Sequence, residues 1–210
     1  MISEAMALLH VEKSESVITP KSNVTTKVEN IVASVILSQK LDLDEVASTI
    51  PNVEYDPSNF PGLIYRLKKP KTATLVFSTG KMVCTGAKTE KQVKGAVQKI
   101  VKSLDKAGFR TKGRPTITIE NVVASGDLGF PVDLERAAMT LENCMYEPEQ
   151  FPGLVYRMRD PKTVVLIFGS GKIVIAGAKW EEQVPKVARR VRDRLLELNL
   201  MRTWEVEEDG

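Results

Sequence analysis

The feature of this sequence that most constrains its fold is an internal repeat. NFPGLIYRLKKPKT at 59–72 recurs as QFPGLVYRMRDPKT at 150–163, and TGKMVCTGAK at 79–88 recurs as SGKIVIAGAK at 170–179. Every match has the same offset of 91 residues, and 34 of the 77 positions are identical when one repeat is laid on the other without a gap. Because solenoid repeats have periods of roughly 20–50 residues, this period indicates a duplicated domain rather than an array.

Each repeat has the same predicted succession of elements. A β-rich run comes first, and a short amphipathic helix follows it, with Asp42 and Asp133 as the expected N-caps. A turn rich in Pro and Gly leads into three short strands. A long amphipathic helix, predicted at 90–107 and again at 181–198, closes each repeat.

Charge is unevenly distributed along the chain. The formal net charge is +3, of which residues 1–26 carry −1 and the last eight residues −4, so that 27–202 carry +8. A basic body permits a polyanionic partner, although a solvated surface of mixed charge explains the charge alone equally well. The expected divisions are a flexible N-terminal extension at 1–23, the first repeat at 24–110, the second repeat at 111–202 and an acidic C-terminal tail at 203–210.

Nothing in the sequence predicts a membrane span, a secretory signal or catalysis. No apolar run reaches roughly 18 residues, and the N-terminus has an early Glu4 and no basic leader. Cys84 and Cys144 lie outside any CxxC spacing and are expected to be free thiols in a reducing compartment. The single histidine, His10, lies outside both repeats, and GSGK at 169–172 lacks the spacing of a P-loop. We therefore expect a binding protein, not an enzyme, with no metal and no cofactor.

The predicted strands are apolar on both faces. LVF at 75–77 and LIF at 166–168 show this, as do MVC at 82–84 and IVI at 173–175. Two helices per repeat can cover only one face of a sheet, so the other face is expected to be apolar, continuous across the repeats and uncovered. An exposed apolar surface of that extent marks a binding site. The alternative is a sheet buried on both faces, for example by a dimer partner.

Phenylalanine, asparagine and basic side chains recur at matching positions. In each repeat one Phe lies in the Pro/Gly turn and a second ends a strand, as Phe60 and Phe77, then Phe151 and Phe168. Minor-groove proteins insert Phe between base steps, although a Phe that ends a strand is more often core. The repeated asparagines, Asn30 and Asn121, could donate to the acceptors of an A·T minor groove or satisfy neighbouring backbone. The repeated cations, which could contact phosphates, are Arg66, Arg157, Lys81 and Lys172.

These segments resemble the core of the TATA-box-binding protein family over roughly 24–200. The resemblance is carried by NIVAS and NVVAS, by YDPSNFPGLIYRL and YEPEQFPGLVYRM, and by PKTATLVFSTGKMVCTGAK and PKTVVLIFGSGKIVIAGAK. The short N-terminus and acidic tail resemble the archaeal type. The resemblance implies an α+β fold, a pseudo-twofold saddle of two tandem repeats whose ten-stranded antiparallel sheet has four helices on the convex face.

The function implied by the resemblance is that of a general transcription initiation factor. Such a factor binds and bends the TATA box through the DNA minor groove, and it recruits transcription factor B and RNA polymerase to the promoter. Its partners would be A·T-rich double-stranded DNA and the pre-initiation complex, with no membrane. It would be cytoplasmic and nucleoid-associated if archaeal, and nuclear if eukaryotic. The bend, a kink of about 80°, is the known family value and does not follow from this chain.

The resemblance also implies roles for individual residues. Phe60 and Phe77 would wedge one end of the element, and Phe151 and Phe168 the other. Hydrogen bonds near the centre would come from Asn30, Asn121 and Thr85. Apolar contacts that favour A·T pairs would come from Val32, Val83, Leu75, Val123, Val174 and Leu166. The remaining DNA contacts would come from Pro61, Pro152, Thr79, Ser170, Arg66, Arg157, Lys81 and Lys172. Transcription factor B would dock at Glu147, Glu149 and Gln150.

Two departures from the family pattern bear on this interpretation. Ala176 stands where Thr85 has its counterpart, so hydrogen bonding at the centre is expected to be lopsided. Gln150 stands where the family often has Leu, so the acidic pair before Phe151 matches the pattern and the Leu contact does not. One alternative is a duplicated domain whose apolar face binds a hydrophobic ligand or a protein. Another is a relative that docks to the transcription machinery without binding DNA.

Overall fold

The computed structural model describes residues 23–202. The predicted acidic tail, His10 and the N-terminal extension apart from Asn23 lie outside these residues. Among the described residues, no helix combines the length and the apolar character needed to cross a membrane.

The two repeats contain the same elements in the same order. The first repeat consists of β1 (Thr25–Ile36), α1 (Leu43–Thr49), β2 (Val53–Glu54), β3 (Leu63–Lys68), β4 (Lys71–Val76), β5 (Lys81–Ala87) and α2 (Glu90–Lys106). The second consists of β6 (Thr116–Asp127), α3 (Leu134–Thr140), β7 (Cys144–Met145), β8 (Gly153–Met158), β9 (Thr163–Phe168), β10 (Lys172–Ala178) and α4 (Gln183–Glu197). The predicted succession of elements is confirmed, and each repeat has one strand, β2 or β7, that the pattern did not predict.

All ten strands form one antiparallel sheet. Their order is β2-β3-β4-β5-β1-β6-β10-β9-β8-β7, which reads as one repeat followed by the reversed order of the other. The repeats join where β1 pairs with β6, from Thr25 opposite Asp127 to Ile36 opposite Thr116. A pseudo-twofold axis therefore passes through the middle of the sheet and relates its two halves.

Side-chain hydrogen bonds define where the helices begin. The predicted N-caps are confirmed, because the Asp42 and Asp133 carboxylates accept from the third backbone N–H beyond them, at 3.1 and 3.0 Å. The hydroxyl of Thr89 caps α2 in the same way, at 3.1 Å from the N of Gln92. Its counterpart in the second repeat is Trp180, which has no capping oxygen, and α4 accordingly begins two residues later than predicted.

The core lies on one side of the sheet. In β1 the side chains of Ile31, Ala33 and Val35 are buried, whereas Val32 between them is half-exposed. The buried side chains pack with those of all four helices in one core, and each helix contributes at least two buried residues. Within the described chain the opposite face is left uncovered, as predicted from the two helices of each repeat.

Candidate nucleic-acid interface

The uncovered side of the sheet, which we call the open face, has an apolar centre. Its side chains are half-exposed, and by the strand register Leu75 lies beside Val83 and Leu166 beside Val174. The open-face residues of the four central strands and their neighbours include Asn30, Val32, Leu75, Val83, Thr85, Asn121, Val123, Leu166, Val174 and Ala176. Because these residues come from both halves, the apolar surface is continuous across the pseudo-twofold axis.

The two asparagines are held by backbone donors of the neighbouring strand. The Oδ1 of Asn30 accepts from the N–H of Gly86 at 2.8 Å, and the Oδ1 of Asn121 accepts from the N–H of Gly177 at 2.7 Å. A backbone N–H can only donate, so this contact also fixes which end of each amide is oxygen. The amide nitrogens are consequently the groups available to a ligand on the open face. Each asparagine therefore both satisfies a backbone group and presents a donor.

Sequence reasoning missed the glycines that make this arrangement possible. Gly86 and Gly177 have φ of 93° and 95°, a left-handed conformation that disfavours other residues. A Cβ at Gly86 would also lie 3.1 Å from the carbonyl oxygen of Lys71. These glycines could have been found from the recurring GAK segments, in which glycine directly follows Thr85 in one repeat and Ala176 in the other.

Hydrogen bonding around the asparagines is unequal in the two repeats. The Thr85 hydroxyl lies 3.1 Å from Nδ2 and 3.2 Å from Oδ1 of Asn30. Ala176 offers no such group to Asn121. The side-chain hydrogen bond between Thr85 and Asn30 therefore has no counterpart at Asn121.

Each end of the open face has a pair of phenylalanine rings. Phe60 contacts Phe77 edge to face, with ring centroids 5.9 Å apart, and Phe151 contacts Phe168 in the same way at 5.8 Å. Phe77 and Phe168 are only half-buried, so these strand-end rings lie outside the fully buried core. Phe151 is 36% exposed, although exposure of a large apolar ring to water is unfavourable.

The glycine of each FPG turn allows the rings to meet. A Cβ at Gly62 would lie 2.6 Å from Cε1 of Phe60, and one at Gly153 would lie 2.7 Å from Cε1 of Phe151. Any side chain there would displace the turn phenylalanine. From the sequence these glycines were predicted only as turn residues, and their contact with the rings was not predicted.

Exposed residues flank the phenylalanine pairs. Pro61 and Pro152, which follow the turn phenylalanines, are both exposed. The hydroxyls of Thr79 and Ser170 each accept weakly, at 3.4 Å, from the backbone N–H two residues further on. These four predicted contact residues therefore lie at accessible positions in the turns.

Within residues 23–202, two of the four recurring cations form ion pairs. The Nε of Arg66 lies 2.9 Å from Glu54, and the Nζ of Lys172 lies 2.6 Å from Asp127. The hydrogen bond and charge of Arg66 lower the pKa of the Glu54 carboxyl, and Glu54 in turn raises the pKa of Arg66. Sequence reasoning did not identify either acidic partner.

Another feature that the sequence did not reveal is a set of polar contacts across the junction of the repeats. The hydroxyl of Ser125 donates to Glu29 at 2.9 Å, and its symmetry counterpart, Ser34, donates to Glu120 at 2.7 Å. Glu29 also accepts from Lys88 at 3.1 Å. The Ser125 hydrogen bond, followed by that of Lys88, lowers the pKa of Glu29 to about 2. These bonds tie the two halves together beside the asparagines.

The acidic turn of the second repeat is accessible. Glu147, Glu149 and Gln150 are all exposed, and the carbonyl of Glu147 accepts from the N–H groups of Gln150 and Phe151 at 3.0 and 2.9 Å. The turn is thus closed by its own backbone, which leaves its side chains in solvent.

The cysteines and acids do not assemble into a metal site in the described chain. Cys84 is buried, which raises its pKa, and Cys144 is half-buried; both are free thiols. Between residues 23 and 202, no group of three His, Cys, Asp or Glu side chains is placed to hold a metal ion.

The chain is similar to a known family model, to proteins of that family and to a solved structure. The family model described as "Transcription factor TFIID (or TATA-binding protein, TBP)" matches residues 25–107 and 116–198. The TATA-box-binding protein of Sulfurisphaera tokodaii is 54% identical over 181 residues, 86% of this chain and 91% of that protein. That of Sulfolobus acidocaldarius is 53% identical over 181 residues, 86% and 92% respectively. The solved structure of Methanococcus jannaschii TBP, at 48% identity, superposes with a TM-score of 0.76 over 82% of this chain and 98% of that one.

Proposed function

This chain belongs to the TATA-box-binding protein family of DNA-binding transcription factors, and from that premise we propose that its open face binds and bends a TATA element. Family membership, of the archaeal type, confirms the resemblance seen in the sequence. The saddle of ten strands and four helices is confirmed by the same comparisons. The prediction that the chain is not an enzyme is confirmed as well, since the family is one of DNA-binding factors.

The observation that carries the proposal is an uncovered apolar face with donor amides at its centre and a phenylalanine pair at each end. Asn30 and Asn121 present amide nitrogens, which match the acceptors that A·T pairs display in the minor groove. Val32, Val123 and their apolar neighbours offer no acceptor for the amino group of guanine. A surface of this kind favours A·T over G·C pairs.

Bending follows from the position of the rings. Phe60 and Phe151 stand at opposite ends of the sheet, and each rests against a second ring that supports it. Insertion of such wedges between base steps unstacks the bases and kinks the duplex toward the major groove. Because TA steps deform easily, the same mechanism adds specificity for a TATA sequence.

We extend the proposal to recruitment of transcription factor B and RNA polymerase through the second repeat. The support is the exposed turn at Glu147, Glu149 and Gln150, which lies directly before Phe151. A partner bound there would contact the protein beside one end of the bent DNA. The first repeat has Asp56, Ser58 and Asn59 at the matching positions and so offers a different surface.

Electrophoretic mobility shift tests the proposed DNA binding. A duplex with a TATA element should be bound, and a duplex of equal length with G·C pairs in place of the element should be bound more weakly. Equal affinity for the two duplexes would rule out minor-groove A·T recognition. Binding to neither duplex would favour the alternatives, in which the open face takes a hydrophobic ligand or a protein.

A further inference from the structure

The four recurring cations of the open face have different neighbours in the two repeats. Arg66 and Lys81 of the first repeat match Arg157 and Lys172 of the second. The acids beside them do not recur: Glu54 has Met145 as its counterpart, and Asp127 has Ile36. Each repeat therefore has one carboxylate on this face that the other lacks.

The unequal neighbours produce a diagonal charge pattern. In the first repeat Glu54 pairs with Arg66, while Lys81 lies opposite Ile36 in the strand register. In the second repeat Asp127 pairs with Lys172, while an exposed Met145 occupies the matching position near Arg157. Among residues 23–202, neither Lys81 nor Arg157 forms an ion pair. The arginine is therefore neutralised in the first repeat, and the lysine is neutralised in the second.

The positions of the two carboxylates favour their ion pairs. One oxygen of Asp127 accepts from the backbone N–H of Gly129 at 2.8 Å, and the other contacts Lys172 at 2.6 Å. The carboxylate is thus held by the backbone, and little side-chain freedom remains to be lost in the ion pair. Glu54 is the more exposed acid and contacts Arg66 through two nitrogens, at 2.9 and 3.5 Å.

We propose that Glu54 and Asp127 determine which recurring cations bind phosphate. Lys81 and Arg157 form the main phosphate contacts, whereas Arg66 and Lys172 contribute less because each is paired with one of the two acids. This inference rests on the proposed binding of DNA by the open face. A cation already paired with a carboxylate releases fewer counterions when it meets a phosphate, and the carboxylate itself repels the DNA backbone. The two acids thus reduce affinity and salt dependence without contacting a base.

The test is the salt dependence of binding to one TATA duplex, measured for four single variants. Glu54→Gln and Asp127→Asn keep the shape of each side chain and remove its charge. The quantity compared is the affinity at about 50 mM salt divided by the affinity at about 200 mM salt. Each of these two variants should make this ratio roughly three- to fourfold larger, which is the effect of one added phosphate contact. The converse variants, Ile36→Asp and Met145→Glu, create the missing pairs and should make that ratio smaller by a similar factor.

Glu197→Gln is the matched control, because it removes an acid from an exposed ion pair on α4, 2.9 Å from Arg194 and away from the open face. It should leave the ratio unchanged, and melting temperatures establish that all five variants are folded. Suppose that the unchanged protein binds TATA DNA. If the four variants then leave the ratio of low-salt to high-salt affinity unchanged, or if the control changes it equally, this inference alone is overturned. No binding of TATA DNA by the unchanged protein would overturn the proposed function along with it.

Discussion

At the scale of single residues, the asparagine–glycine contact is the clearest link between sequence and recognition. A backbone N–H holds the amide oxygen of Asn121, so the amide nitrogen is presented to the open face. The sequence could predict that Asn30 and Asn121 lie on this face, because they recur two residues before a valine of a predicted strand. The recurring glycines were visible in the sequence, but their contact with the asparagines was not, because it depends on strand pairing and on a left-handed backbone.

Asn121→Asp tests the orientation of this side chain. Asp keeps the acceptor for the N–H of Gly177, but it replaces the donor with a second acceptor and adds a negative charge. We expect affinity for the TATA duplex to fall about tenfold or more, whereas the melting temperature stays close to that of the unchanged protein. Titration with a labelled duplex measures the loss. Gln98→Glu, which adds the same charge on the exposed side of α2, should have a much smaller effect; an equal effect would mean that charge alone is responsible.

At the scale of elements, the long strands and helices could be predicted from the sequence and the shortest strands could not. The β-rich runs, the turn residues between them and the helical patterns predicted four strands and two helices per repeat. Each repeat has a fifth strand, β2 or β7, of only two residues, which is too short to show a pattern and forms only by pairing with β3 or β8. The late start of α4 was also missed, because Trp180 stands in the second repeat where Thr89 caps α2 in the first.

Gly95→Ala should stabilise the protein through α2 alone. A Cβ at Gly95 would have no atom within 4 Å, so the substitution gains helix propensity without a clash. We expect the free energy of unfolding to rise by about 0.5–1 kcal/mol. Denaturant unfolding measures this change, and TATA affinity should not change. Gly108→Ala is the contrasting variant: it also has open space, but its φ of 95° should make alanine destabilising. Stabilisation by both variants would show that backbone conformation does not control these positions.

At the scale of the whole molecule, the duplication produces a nearly symmetric surface with localised differences. The pseudo-twofold axis repeats the apolar centre and both phenylalanine pairs. The differences include Thr85 against Ala176, Glu54 against Met145, and Ile36 against Asp127. The repeat itself was evident from the sequence, whereas the ion pairs that make the halves electrostatically unequal required the strand register.

Energy transfer between dyes at the two ends of a TATA duplex measures its bend, and so tests directly whether the open face bends DNA with its phenylalanine pairs. The unchanged protein should bring the ends closer together, and Phe60→Ala combined with Phe151→Ala should reduce that bend, because the turn rings are the proposed wedges. Met139→Ala, which removes an 81% exposed apolar side chain from α3, should leave the bend unchanged. An unaltered bend in the folded double variant would show that these phenylalanines are not wedges.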